Sequence, residues 1–86
     1  MNTHRDTPLT LSSLQPGQSA SIDGYLIGPS PLRRRLLALG LTPGAMLEVL
    51  RRAPLGDPIE IQVRGANFAL RRFEADALAI TPVGAA

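Results

Sequence analysis

The chain has 86 residues, 44% of them hydrophobic, and a formal charge of +2, which allows one domain with a small core and excludes a large catalytic architecture. It contains no cysteine, so disulfide scaffolds, thiolate metal sites and cysteine nucleophiles are removed together, in keeping with a reducing compartment. Every cation among the nine Lys plus Arg is an arginine. Little therefore titrates between the carboxylates and Tyr25, and the isoelectric point of 10.5 reflects that gap rather than a strongly basic surface.

Residues 1–8 hold Arg5 and Asp6 among polar neighbours and lead into no apolar stretch, so they read as a frayed tail and not as a signal peptide. The longest apolar run, 36–41, is far short of the roughly 20 residues that span a membrane. A soluble chain is expected, with one domain over 9–83 and a short tail at 84–86.

Eight prolines and eight glycines cut the chain into short pieces, a pattern that favours small β folds. After Pro16-Gly17, residues 18–26 alternate Ala20 and Ile22 with Ser19, Ser21 and Asp23, the period of a half-buried strand. Ser30 then caps, and Pro31 opens, a helix over 31–39 that Gly40 ends. Leu32, Leu36 and Leu39 share one helical face, and Arg33, Arg34 and Leu37 point away from it.

A second strand, expected to be central, covers 45–52, with Leu47 and Val49 on one face and Glu48 and Arg52 on the other. Beyond the loop Ala53-Pro54-Leu55-Gly56-Asp57-Pro58, a third strand at 59–64 alternates Ile59, Ile61 and Val63 with Glu60, Gln62 and Arg64. Gly65-Ala66 is expected to form a type II′ turn into a fourth strand at 67–72. A helical turn at 73–77 and a last strand at 78–82 complete the series. About five short strands, one inserted helix and a turn before the final strand predict a mainly β fold, a small SH3-like barrel, in preference to an OB-fold.

The same residues exclude most chemistry. A metal site needs converging ligands, and the one histidine, His4, lies in the tail. Nucleophilic catalysis lacks a base, and no carboxylate pair is placed for acid–base work, so no enzyme, cofactor, metal or small-molecule substrate is expected. Gly56 and Gly65 begin no phosphate-binding motif. Arginines cluster at 33–35, 51–52 and 71–72 and could form a phosphate-facing patch, but with no Trp, one Tyr and two Phe the rings cannot supply both a core and stacking platforms. A surface for a protein partner remains. Leu37 lies opposite the apolar stripe among arginines, and Leu55 is at the tip of its loop.

The run Arg35-Leu36-Leu37-Ala38-Leu39-Gly40-Leu41-Thr42-Pro43-Gly44, followed by Arg52-Ala53-Pro54-Leu55-Gly56-Asp57-Pro58-Ile59, Val63-Arg64-Gly65 and Ala69-Leu70-Arg71, resembles the FeoA family over roughly 9–83. A related domain occurs at the C-terminus of some metal-dependent repressors. The resemblance implies a small cytoplasmic SH3-like barrel that serves FeoB, a ferrous iron permease with a cytosolic GTP-binding domain, and reaches the inner membrane through it. It implies no iron bound by this chain. Combined with the partner-surface reading, it makes Arg33, Arg34, Leu37, Leu55 and Asp57 the expected contact residues. Three alternatives stay open: a nucleic-acid-binding barrel, a repressor-type regulatory domain, and weak self-association through strand edges.

Overall fold

Alternating apolar residues, interrupted by Pro and Gly, build one twisted antiparallel sheet with a helix inserted early in the chain. The computed structural model describes residues 9–83; both tails and His4 lie outside the described residues. A 3-10 turn at Leu11–Ser13 precedes β1 (Ser19–Tyr25), α1 (Pro31–Ala38), β2 (Met46–Arg52), β3 (Ile59–Val63), β4 (Ala66–Leu70), the four-residue α2 (Arg72–Ala75) and β5 (Leu78–Val83). The sheet order is β4-β3-β2-β1-β5, with β2 in the middle. This is the mainly β, SH3-like arrangement expected from the sequence.

The core is aliphatic. Ala20 and Ile22 of β1, Leu47 and Val49 of β2, and Ile59, Ile61 and Val63 of β3 are buried, as are Leu70, Leu78 and Ile80. Each such Val, Leu or Ile contributes about 1.5–3 kcal/mol by leaving water. Helix α1 adds Leu36, and the segment after it adds Leu41. Ser30 Oγ accepts the Arg33 N–H at 3.1 Å, which caps α1. At its other end Gly40, with φ +100°, lets the Leu41 N–H return to the Leu36 carbonyl at 3.2 Å and its own N–H reach Leu37 at 3.0 Å. These two bonds form a Schellman closure.

Two β-bulges reassign side chains that simple alternation misplaces. In the β2–β3 register Val49 faces Ile61, but Arg51 faces Glu60 and Arg52 faces Ile59. The additional residue, Leu50, reverses the face of everything after it. Arg52, expected beside Glu48 on the solvent face, instead turns to the side of buried Ile59. A second bulge between Ile22 and Gly24 places Tyr25 opposite Leu78, packed against the core.

The hairpin turn also differs from expectation. Val63 pairs with Ala66, so the two turn residues are Arg64 and Gly65, with φ of 53° and 80°. Positive φ at both positions defines type I′, not type II′. The two registers differ by two residues and put the same side chains inward, so the apolar pattern could not separate them. Arg64 is held in its left-handed conformation with its guanidinium 3.1 Å from Thr42 Oγ1 and 3.5 Å from the Gly40 carbonyl.

The edges of the sheet are treated unequally. On β5, the Ile80 N–H donates to the Leu9 carbonyl at 3.0 Å, and Pro82 has no N–H to offer. Strand β4, Ala66-Asn67-Phe68-Ala69-Leu70, carries neither charge nor proline.

Candidate partner-binding surface

Helix α2 ties together the two regions that the sequence singled out. It sits on a buried carboxylate: Glu74 is 4% exposed, and its Oε1 accepts the Arg71 N–H at 2.8 Å. Its Oε2 pairs with Arg35 of α1. Arg71 has no acceptor with which to return the bond, so the helix cap is one-sided. From the other side, Asp57 Oδ1 accepts the Arg72 N–H at 3.0 Å and lies 3.9 Å from Arg71 Nη1. Through these contacts α1, the β2–β3 loop and α2 form one connected surface.

The five expected contact residues have different roles within it. Arg34 is exposed, and Leu55, at the loop tip, is 90% exposed. Leu37 is half-buried rather than fully turned to solvent. The Arg33 guanidinium lies 5.6 Å from the centre of the Tyr25 ring, a cation–π distance. The Tyr25 hydroxyl donates to the Leu41 carbonyl at 2.8 Å. Burial pushes the Tyr25 phenol above its usual value, and the nearby Arg33 charge pulls the other way. Asp57 is engaged in holding α2.

Sequence reasoning missed Phe73. It is 65% exposed, while Glu74 and Ala75 take the inward positions of α2. The signal was available: a Glu three residues after the cap residue of a short helix faces back toward its start. Phe73 therefore adds an exposed aromatic on α2, the helix that Asp57 and Arg35 tie to the loop and to α1.

The arginine clusters do not assemble as the sequence suggested. Arg51 pairs with Glu60 at 3.0 Å, and Arg72 lies 3.9 Å from Asp76. Arg52 Nη2 donates to the carbonyls of Leu11, Ser12 and Leu14. With Arg35 on Glu74, these cations mostly bind the protein itself, which counts against a phosphate-tracking face. Among the described residues no three His, Cys, Asp or Glu side chains gather as metal ligands. No helix there is long and apolar enough to cross a membrane.

The fold is a small SH3-like barrel that carries exposed apolar side chains, Leu55 and Phe73, and an exposed Arg34 on its surface. The FeoA domain model matches residues 9–82, and the chain belongs to the FeoA family. Iron(II) transport protein A from Clostridium thermocellum is 37% identical and superposes with a TM-score of 0.83, over 88% of this chain and 46% of that one. The chain thus spans less than half of that relative's length. The FeoA protein of Chlorobium tepidum is 42% identical, with a TM-score of 0.80 over 88% of this chain and 71% of that one. The Stenotrophomonas maltophilia FeoA, complexed with zinc and described as a procaryotic SH3 domain protein and candidate ferrous iron transport activating factor, is 32% identical. Its TM-score is 0.75, over 85% of this chain and 89% of that one.

Proposed function

We propose that this chain is a non-enzymatic cytoplasmic accessory protein that docks on the ferrous iron permease FeoB and supports or regulates GTP-linked iron(II) uptake. The observation that carries this reading is the family match over residues 9–82, which spans nearly all of the described chain and leaves its surface as the part that acts. The docking face on this reading comprises exposed Arg34 and Leu55, exposed Phe73 of α2, and half-buried Leu37. Arg33, stacked on Tyr25, and Asp57, bonded to the Arg72 N–H, help to fix the elements that carry that face. On this reading the protein meets the inner membrane only through FeoB.

The test is capture of full-length FeoB in detergent by the purified protein, with the isolated GTP-binding domain in parallel and GTP and GDP varied. Wild type should retain full-length FeoB. Arg34→Glu combined with Leu37→Asp should abolish capture. Because Leu37 is half-buried, Arg34→Glu with Leu55→Asp, both on exposed side chains, repeats the test without touching the core, and circular dichroism confirms the fold. Unchanged capture by both variants would refute the face; no capture by wild type in any nucleotide state would refute the partner.

A further inference from the structure

We infer that α1 is a hinged arm, latched to the barrel by two of its arginines, and that it opens on its own while the sheet stays folded. The argument starts from the backbone. Strands β1 and β2 pair directly, and their ladder continues ahead of β2: the Ile22 N–H donates to the Ala45 carbonyl at 2.9 Å and the Gly44 N–H to the Ile22 carbonyl at 2.7 Å. The sheet therefore closes beneath the inserted segment without using it. From Ile27 to Leu39, no main-chain hydrogen bond reaches a strand or a loop outside the insertion among the described residues.

Side chains alone hold α1 down. Leu36 is its one fully buried residue, and Leu32 and Leu39 pack partly against the core. The remaining holds are electrostatic. The Arg33 guanidinium lies 5.6 Å from the centre of the Tyr25 ring, and Arg35 pairs with Glu74, whose side chain is buried while that of the arginine is 58% exposed. A unit with few buried apolar contacts and no shared ladder opens at a lower free energy than the whole fold.

The anchoring beyond α1 makes the motion a pivot. Leu41 is buried, and its carbonyl accepts the Tyr25 hydroxyl at 2.8 Å. Arg64 holds the Gly40 carbonyl and the Thr42 hydroxyl. Gly40, at φ +100°, stands between these anchors and the arm. An eight-residue helix does not persist in water without packing, so the arm unwinds once Leu36 leaves its seat. Opening separates the docking face: Arg34 and Leu37 travel with the arm, and Leu55 and Phe73 stay on the barrel. Only this bearing on docking rests on the permease reading. The opening is measured on the chain alone, so it and FeoB capture fail separately.

The experiment is native-state hydrogen exchange on the isotope-labelled full chain at rising urea and at two salt concentrations, with thiol labelling of the Leu36→Cys variant, which carries the only thiol in the chain. The Leu36 and Leu37 amides should open at least about tenfold more often than the Val49 amide of β2, and with a smaller urea dependence. Raising salt from about 0.02 to 0.5 M should speed their exchange and the thiol labelling about threefold, with a smaller effect at Val49. Arg33→Gln should speed both by about as much at low salt. The amide measurement needs no substitution and decides the matter if Leu36→Cys does not fold. Equal protection and equal urea dependence at Leu36 and Val49 would overturn the proposal, by making α1 part of the cooperative barrel. Exchange without thiol labelling, the mark of a docked helix that frays, would overturn it too, and so would opening that ignores salt.

Discussion

Arg51 and Arg52 are adjacent arginines with opposite structural roles, and replacing each in turn by methionine measures the difference. The Arg52 guanidinium reaches three carbonyl oxygens around the 3-10 turn: Leu11 at 3.4 Å, Ser12 at 2.5 Å, and Leu14. A hydrogen bond from a charged donor contributes about 1.5–3 kcal/mol, the Leu11 contact is long, and the buried Nε has no partner. Met at 52 fills the space of the stem but leaves the carbonyls without their donor, and the net loss should be about 2–4 kcal/mol. For a chain of this size, total stability is about 4–13 kcal/mol, so the variant should melt at least about 10 °C lower. Arg51 makes a cross-strand pair with Glu60 in which both side chains are well exposed, and Arg51→Met should cost less than about 0.5 kcal/mol. Urea unfolding of the two variants and wild type, with slopes compared, is the assay. Equal losses at both positions, or less than about 1 kcal/mol at Arg52, would refute the assignment of Arg52 as the clasp of the N-terminal turn.

Two further outcomes follow from the surroundings of α2 and Tyr25. Glu74→Gln retains an acceptor for the Arg71 N–H but loses the charge facing Arg35, and should cost about 1 kcal/mol; Glu74→Leu, which also orphans that N–H, should cost roughly twice as much in the same unfolding assay. For Tyr25 the folded-state pKa is raised, chiefly by burial, so the unfolded chain ionises first as the solution becomes alkaline. Its contribution to stability is therefore complete below the ordinary phenol pKa and is lost as pH rises through the higher folded value. Tyr25→Phe should remove that alkaline decline; identical pH profiles for wild type and variant between neutrality and pH about 11 would contradict it.

The alternation of Ile59, Ile61 and Val63, and the Ser30-Pro31 start and Gly40 stop of α1, made those elements readable because each depends on neighbours a few residues away. The bulge at Leu50 does not. It depends on how β2 meets β3, and it alone decides that Arg52 serves the interior while Arg51 serves the surface. The hairpin turn escaped for a related reason: sliding the register by two residues leaves every inward side chain inward, so only the backbone angles of Arg64 and Gly65 distinguish the alternatives. At the candidate surface, Leu55 was legible as an apolar residue at the tip of a Pro-Gly loop. Phe73 was legible only through Glu74: a ring reads as core until the carboxylate beside it is seen to take the interior place. The roles of Arg33 and Asp57 likewise depend on Tyr25 and Arg72, distant in sequence and close in space.

The inequality of the two sheet edges has a consequence for assembly that polymer chemistry describes well. A sheet with two reactive edges is a bifunctional monomer, and each addition leaves a new growing end, so fibres are its natural product. Among the described residues Leu9 and Pro82 obstruct one edge and β4 carries no such block, so a strand that added there would leave no second growing end on the far side of this sheet.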